Sequence, residues 1–235
     1  MAAKQQKVDH YKDLQKKIAS EFGDRIPVAT DSEAALGISI AWLRHFYEFG
    51  TPSNASTSLL DAAHSAAIEV TSSVACGLVR PAIFSLRSHY EFFFMYLFYK
   101  DHPVEWSSLQ NGNEWVRLPK ELKTYLRQYY PWSETRLKKL NDVKSRKEDD
   151  PYFVLSAFVH GGKLQTLPKA RLPKETCFAL ETVKQMPNLI ADISEYLSDV
   201  ATSVYSGNFL GLPPAVKTNL TTRFAKASEA EKIFN

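Results

Sequence analysis

The chain runs to 235 residues, 44% of them hydrophobic, enough for one large domain or two small ones around a substantial core and too apolar for a disordered chain. Fourteen Phe, eleven Tyr and four Trp stand against only nine Gly, a balance that suits an aromatic-filled helical interior and leaves few of the turn signals a many-stranded sheet needs. A formal net charge of +3 is too small to imply a polyanionic partner by itself, so the distribution of charge matters more than its sum.

From residue 4 to residue 22, Val8, Tyr11, Leu14, Ile18 and Phe22 recur at steps of three and four, the spacing of one helix face, and predict an amphipathic first helix that docks by that face. Gly23 and Pro27 are expected to end it. Thr30, Asp31 and Ser32 are N-cap candidates for a second helix with the stripe Ala34, Ala35, Ile38, Trp42, Phe46 and Phe49, and Gly50, Pro52, Ser53 and Asn54 read as a loop. Residues 56–100 form the longest helical stretch, with Pro81 imposing a kink or break near residues 77–81 and freeing carbonyls that can accept from Arg80. Residues 103–119 are irregular, an ordered loop anchored by Trp106 and Trp115. Helical propensity returns at 120–130 and 133–147, separated by Pro131, and a break at 149–151 precedes a helix from Tyr152 that Gly161 and Gly162 stop. A last core helix is expected over about 174–205 with Pro187 as a second kink, then a connector at 207–214 and a short polar helix or frayed tail at 215–235.

No internal repeat, low-complexity tract or alternating strand pattern interrupts this series. The expectation is an all-α helical bundle with a long Pro-kinked central helix. Residues 1–55 supply N-terminal helices that pack on it, 56–206 form its core including a basic segment at 117–147, and 207–235 form the connector and tail. Cys76 and Cys177 read as buried small hydrophobes rather than a disulfide or half a metal site, which favours a reducing compartment. The N-terminus lacks the apolar core of a secretory signal, and no run reaches the roughly 18–20 apolar residues that span a bilayer, so a cytoplasmic protein without a membrane partner is expected.

Chemistry is carried by charges inside apolar runs, because an ionised side chain taken out of water costs several kcal/mol unless it is paired and hydrogen-bonded. In 78–100 those charges are Arg80, Arg87, His89 and Glu91, with Arg87 and Glu91 four residues apart on one helix face. In 152–162 Ser156 and His160 repeat the spacing, and the glycines after His160 put it at a helix C-terminus, where the dipole favours positive charge. If the two helices pack together, Arg87, Glu91, Ser156 and His160 converge in a site fit to bind an anion or move a proton; equally, the four satisfy one another as a structural network. The six histidines show no metal-ligand spacing, Ser156 lacks a G-x-S-x-G elbow, and neither a Walker A loop nor a G-x-G-x-x-G turn is present, so no metal or cofactor is expected.

The segment 117–147 carries ten basic residues against three acidic ones: Arg117, Lys120, Lys123, Arg127, Arg136, Lys138, Lys139, Lys144, Arg146 and Lys147. Tyr125, Tyr129, Tyr130 and Trp132 are interleaved with them, the mixture that contacts phosphates while stacking bases on rings. The plainer alternative is rings turned into the bundle and cations on a solvated face. Glu148, Asp149 and Asp150 bound the patch on one side.

The run LVRPAIFSLRSHYEF followed some sixty residues later by YFVLSAFVHGG resembles a family of uncharacterised, mostly prokaryotic helical proteins of HEPN-like character. In these, an R-x-x-x-E helix, matched by Arg87 and Glu91, is followed by a helix ending in S-x-x-x-H, matched by Ser156 and His160. The resemblance covers residues 56–162. It implies engagement of RNA or another nucleic acid, assembly as an oligomer and a place in a prokaryotic stress or phage-defence system. HEPN ribonucleases carry R-x(4–6)-H on one helix, whereas here Arg80 lies nine residues before His89 and Arg87 only two. An enzyme would therefore be a metal-independent ribonuclease using Arg87 on the phosphate and His160 as acid or base, with Glu91 orienting and Ser156 supporting them. The rival is a non-catalytic subunit that packs on a partner protein or a second copy.

Overall fold

A computed structural model describes residues 2–50, 56–113, 117, 119–161 and 167–234, without the side chains of residues 2–4. The loop expected at Pro52, Ser53 and Asn54, together with Trp115 and Gly162, lies outside the described residues. Every regular element among them is helical: α1 (Ala2–Phe49), α2 (Thr57–Ala75), α3 (Val79–Tyr99), α4 (Pro103–Gln110), α5 (Pro119–Tyr129), α6 (Ser133–Asp142), α7 (Tyr152–His160), α8 (Leu180–Val183), α9 (Met186–Val204), α10 (Pro214–Arg223) and α11 (Ala227–Glu231). Turns of 3-10 helix at Pro173–Thr176 and Phe209–Gly211 complete the series. The chain is an all-α helical bundle.

The first departure from expectation is α1, which runs unbroken through Gly23 and Pro27. Pro27 deprives the Gly23 carbonyl of its helical donor, but both residues are exposed, so water can take that donor's place. Thr30 and Ser32 cap nothing. Their hydroxyls donate to carbonyls one turn back, Thr30 to Ile26 at 3.0 Å and Ser32 to Val28 at 2.8 Å, the arrangement that lets such residues sit inside a helix. The N-terminal stripe stays largely unburied, with Val8, Tyr11 and Phe22 exposed, and the buried side of α1 further along is set by Arg25, Val28, Ser32, Leu36, Ser39 and Trp42.

The central stretch divides at Gly77. Leu78 N–H donates to the Ser73 carbonyl at 2.8 Å and Gly77 N–H to Val74 at 2.9 Å, the paired bonds of a helix C-cap whose left-handed residue is Gly77 at φ +72°. Pro81 is the third residue of α3, where an N–H has no partner within the helix, so it opens that helix instead of kinking a longer one. Pro187 likewise lies in the first turn of α9, which begins well after residue 174. Residues 103–110, expected as loop, form α4 with Trp106 buried. The C-terminal stretch is no frayed tail: Val216, Leu220, Ala230 and Ile233 are buried.

The chain divides into two compact units, residues 1–36, 66–87 and 152–191 in the first and 37–65, 88–151 and 192–235 in the second. In the first, Arg25 is fully buried and donates to the Phe178 carbonyl at 2.9 Å and to Glu21, while Phe178 N–H donates to the Gly77 carbonyl at 2.9 Å. Arg80 donates to the Phe158 carbonyl of α7 at 3.0 Å. In the second, Trp42 is fully buried against Tyr205 and its indole N–H donates to Ser198 Oγ at 3.2 Å, while Tyr90 stacks parallel to Tyr196. Burying one large side chain of this kind contributes about 2–3 kcal/mol.

Candidate functional site

Gly161 takes φ +64° and ends α7, leaving His160 as the last helical residue and half-exposing the turn around it. A Cβ at Gly161 would lie 2.6 Å from Leu167 Cδ2, so the close approach of that side chain adds to the conformational reason for glycine. One helix away in the same unit, Arg87 on α3 reaches back: its Nη1 lies 3.3 Å from His160 Nε2, and its guanidinium carbon sits 5.4 Å from the Tyr152 ring centroid. Residues 73 apart in sequence thus share an exposed contact. Arginine has no acceptor, so this hydrogen bond exists only while Nε2 carries a lone pair, with the ring proton on Nδ1. Ser156 lies half-buried one turn earlier on α7. Glu91 lies one turn beyond Arg87 on α3 and belongs to the second unit.

The basic segment is used mostly within its own unit. Arg117 forms two hydrogen bonds to Glu105 Oε2, at 2.6 and 3.2 Å. Lys123 pairs with Asp150, and Lys144 with Asp149. Arg136 donates to the Tyr205 carbonyl at 2.6 Å and Lys139 to the Lys232 carbonyl at 2.7 Å. Lys120, Arg127, Lys138 and Lys147 are exposed. Two of the interleaved rings are also committed: Tyr125 and Tyr130 donate to Asp101 Oδ2 at 2.9 and 2.7 Å, and burial together with that carboxylate pushes both phenols well up. Burial pushes the Asp101 carboxyl up, but hydrogen bonds from Lys100, Tyr130 and Tyr125 outweigh it and hold the group below its usual range. Tyr129 remains exposed, and Trp132 partly so.

Arg146 sits elsewhere altogether. Its side chain is fully buried, with Nη1 3.0 Å from Glu195 Oε1 and also bonded to Asp199, so it offers no surface to a nucleic acid. Arg223 Nη1 and Nη2 close on the two Asp199 oxygens at 2.6 and 3.0 Å. Burial lowers the Arg223 pKa, but Asp199 and Glu195 outweigh it and raise the group overall. Two guanidinium groups and two carboxylates thus pair their charges, the arrangement that makes a buried charge tolerable. The signal for it was the pair Glu195 and Asp199, four residues apart on one face of α9.

His89 belongs to a separate buried network. Its Nδ1–H donates to the Ala63 carbonyl at 2.8 Å, and its Nε2, 3.1 Å from Ser39 Oγ, accepts from that hydroxyl. Ser39 and His89 are each fully buried. Burial lowers the His89 pKa to about 4 against the partial support of Ala63. The geometry is that of an oriented base beside a hydroxyl, but with both groups sealed from solvent it fixes packing.

Among the described residues no group of three or more His, Cys, Asp or Glu is placed to hold a metal ion, and no helix is long and apolar enough to cross a membrane. Both cysteines are free thiols, Cys177 buried and Cys76 half-buried. No protein-family model, curated protein or solved structure matches the chain.

Proposed function

We propose that this chain is a cytoplasmic HEPN-like helical protein that engages RNA, a component of a prokaryotic stress or phage-defence system, with Arg87 and His160 as its phosphate-facing pair. The observation that carries the reading is the 3.3 Å contact between Arg87 Nη1 and His160 Nε2, because it unites residues from the two sequence elements on which the resemblance rests. A phosphodiester at that edge would meet a guanidinium and an imidazole side by side. In cleavage the RNA 2′ oxygen would bond to phosphorus as the 5′ oxygen leaves, with Arg87 stabilising charge on the phosphoryl oxygens, the lone pair of His160 Nε2 taking the 2′ proton and water giving one to the 5′ oxygen. Exposed Lys120, Arg127, Lys138 and Lys147 add the sequence-independent attraction to a polyanion.

The test is binding and cleavage of labelled single-stranded RNA and DNA at two salt concentrations by wild type, Arg87→Ala and His160→Ala, with folding checked by circular dichroism. Cleavage lost in both folded variants supports a nuclease, and salt-sensitive binding without cleavage supports an RNA-binding subunit. No binding refutes the reading. A second reading, a protein-interaction subunit, is favoured by the unburied stripe on α1, where Tyr11 is 65% exposed and Ile26 50%. Its mark would be an assembly, detected by sedimentation, that charged residues at Tyr11 and Phe22 dissolve.

A further inference from the structure

We propose that a cleft between α5, α6 and α9 binds a phosphate monoester attached to a small apolar or aromatic body. The cleft has a volume of about 290 Å³ and lies wholly within the second unit. Lys123 and Arg127, one turn apart on α5, line it together with Lys138 on α6, and Glu134 is the only carboxylate of its lining. Its lining therefore holds three cations against one anion, and with Lys123 paired to Asp150 the positive charge left for a phosphate group lies on Arg127 and Lys138.

One neutral polar group of the lining has the same bias. Asn141 also lines the cleft, and its Oδ1 accepts from Arg146 Nη2, which leaves the donor end of that amide for other partners. Lys123 is held in place by Asp150 and by three rings, Tyr90, Phe94 and Tyr196, whose centroids lie 5.4–5.5 Å from its ammonium. Burial outweighs Asp150 and lowers the Lys123 pKa, and Arg127 lowers it further, so this ammonium sits in a field that another anion would relieve. Leu126, Leu137 and Val200 give the cleft apolar walls. A cleft of this size lies at the small end of ligand sites, room for about one mononucleotide.

The inference does not rest on the Arg87 and His160 pair, which lies in the other unit. It is tested by calorimetry and thermal shift on the full chain with three probes: 5′-AMP, adenosine and inorganic phosphate. Two double variants are compared, Arg127→Glu with Lys138→Glu, which reverses charges in the cleft, and Lys120→Glu with Lys147→Glu, which makes the same change of net charge outside it. All four positions are exposed, so the folds should survive. The expected result is binding of 5′-AMP more tightly than of either fragment, weakened about tenfold or more by the cleft variant and little changed by the other. The proposal is overturned if 5′-AMP neither releases heat nor raises the thermal midpoint. It is equally overturned if both double variants weaken binding alike, or if either fragment binds as tightly as the whole.

Discussion

His89 makes the stability of this protein fall with acid in a way that can be assigned to one side chain. An exposed histidine takes its proton near pH 6.5, whereas burial holds the His89 ring neutral in the folded chain down to about pH 4. At neutral pH neither state is protonated at this residue. As the pH falls below 6.5, the unfolded chain binds a proton that the folded one refuses, so the unfolded state is favoured progressively until the folded ring also titrates near pH 4. At about 1.4 kcal/mol for each pH unit, the loss across that window is about 3 kcal/mol. Carboxylates titrate in the same range, so a variant is needed to isolate the histidine. His89→Gln suits, because the amide can donate to the Ala63 carbonyl and accept from Ser39 without a proton to gain. Urea denaturation of both proteins at about pH 7 and about pH 4.5 gives the readout. The glutamine variant should lose about 2–3 kcal/mol less on acidification than wild type, whatever its starting stability. Parallel losses would show that His89 titrates normally in the folded chain and that its burial costs the imidazolium nothing.

Two further expectations concern the backbone. Gly77 and Gly112 both have φ +72°, but a Cβ at Gly77 would lie 2.5 Å from the buried Arg25 guanidinium carbon, whereas one at Gly112 meets nothing within 4 Å. Gly112→Ala should therefore cost about 1 kcal/mol and Gly77→Ala about 2–4 kcal/mol in chemical denaturation, and equal costs would remove Arg25 from the account. Pro27→Ala should stabilise the chain by about 1–2 kcal/mol, since it restores a donor to the Gly23 carbonyl and removes an exposed ring from a helix interior. A lower thermal midpoint in that variant would refute the account given of α1.

The helices legible in the sequence were those whose apolar spacing survives contact with the rest of the chain. Phe93, Phe94 and Leu97 in the stretch expected over 56–100, and Ile190, Ile193 and Leu197 in the one expected over about 174–205, are all buried. Proline was the misleading signal. Pro81, Pro103, Pro119, Pro173, Pro187 and Pro214 all stand in the first turn of a helix, where a missing N–H costs nothing, while Pro27 alone among the described residues sits inside one. Local rules treat both cases as an interruption. Which applies depends on whether the orphaned carbonyl reaches water, and that is decided by how the helix is turned against its neighbours.

The same limit governs the charged residues. Spacing alone placed Arg87 with Glu91 on one helix face and Ser156 with His160 on another, while the contact between Arg87 and His160 needed two helices to pack before it could be seen. In the basic segment, Arg146 and Lys147 are adjacent, and nothing local separates them. One is buried between Glu195 and Asp199, and the other is exposed. The difference arises because α6 stops at Asp142 and the chain beyond it turns, with Ser145 N–H and Arg146 N–H both donating to Glu195 Oε1. A carboxylate contributed by α9 thus organises the backbone of the loop and the guanidinium together. A count of cations along 117–147 therefore overstates the charge this segment presents to solvent, and any polyanion it meets is attracted by Lys120, Arg127, Lys138 and Lys147 rather than by all ten. If the chain binds RNA as proposed, the salt dependence of that binding should carry a slope set by about four phosphate contacts or fewer from this segment.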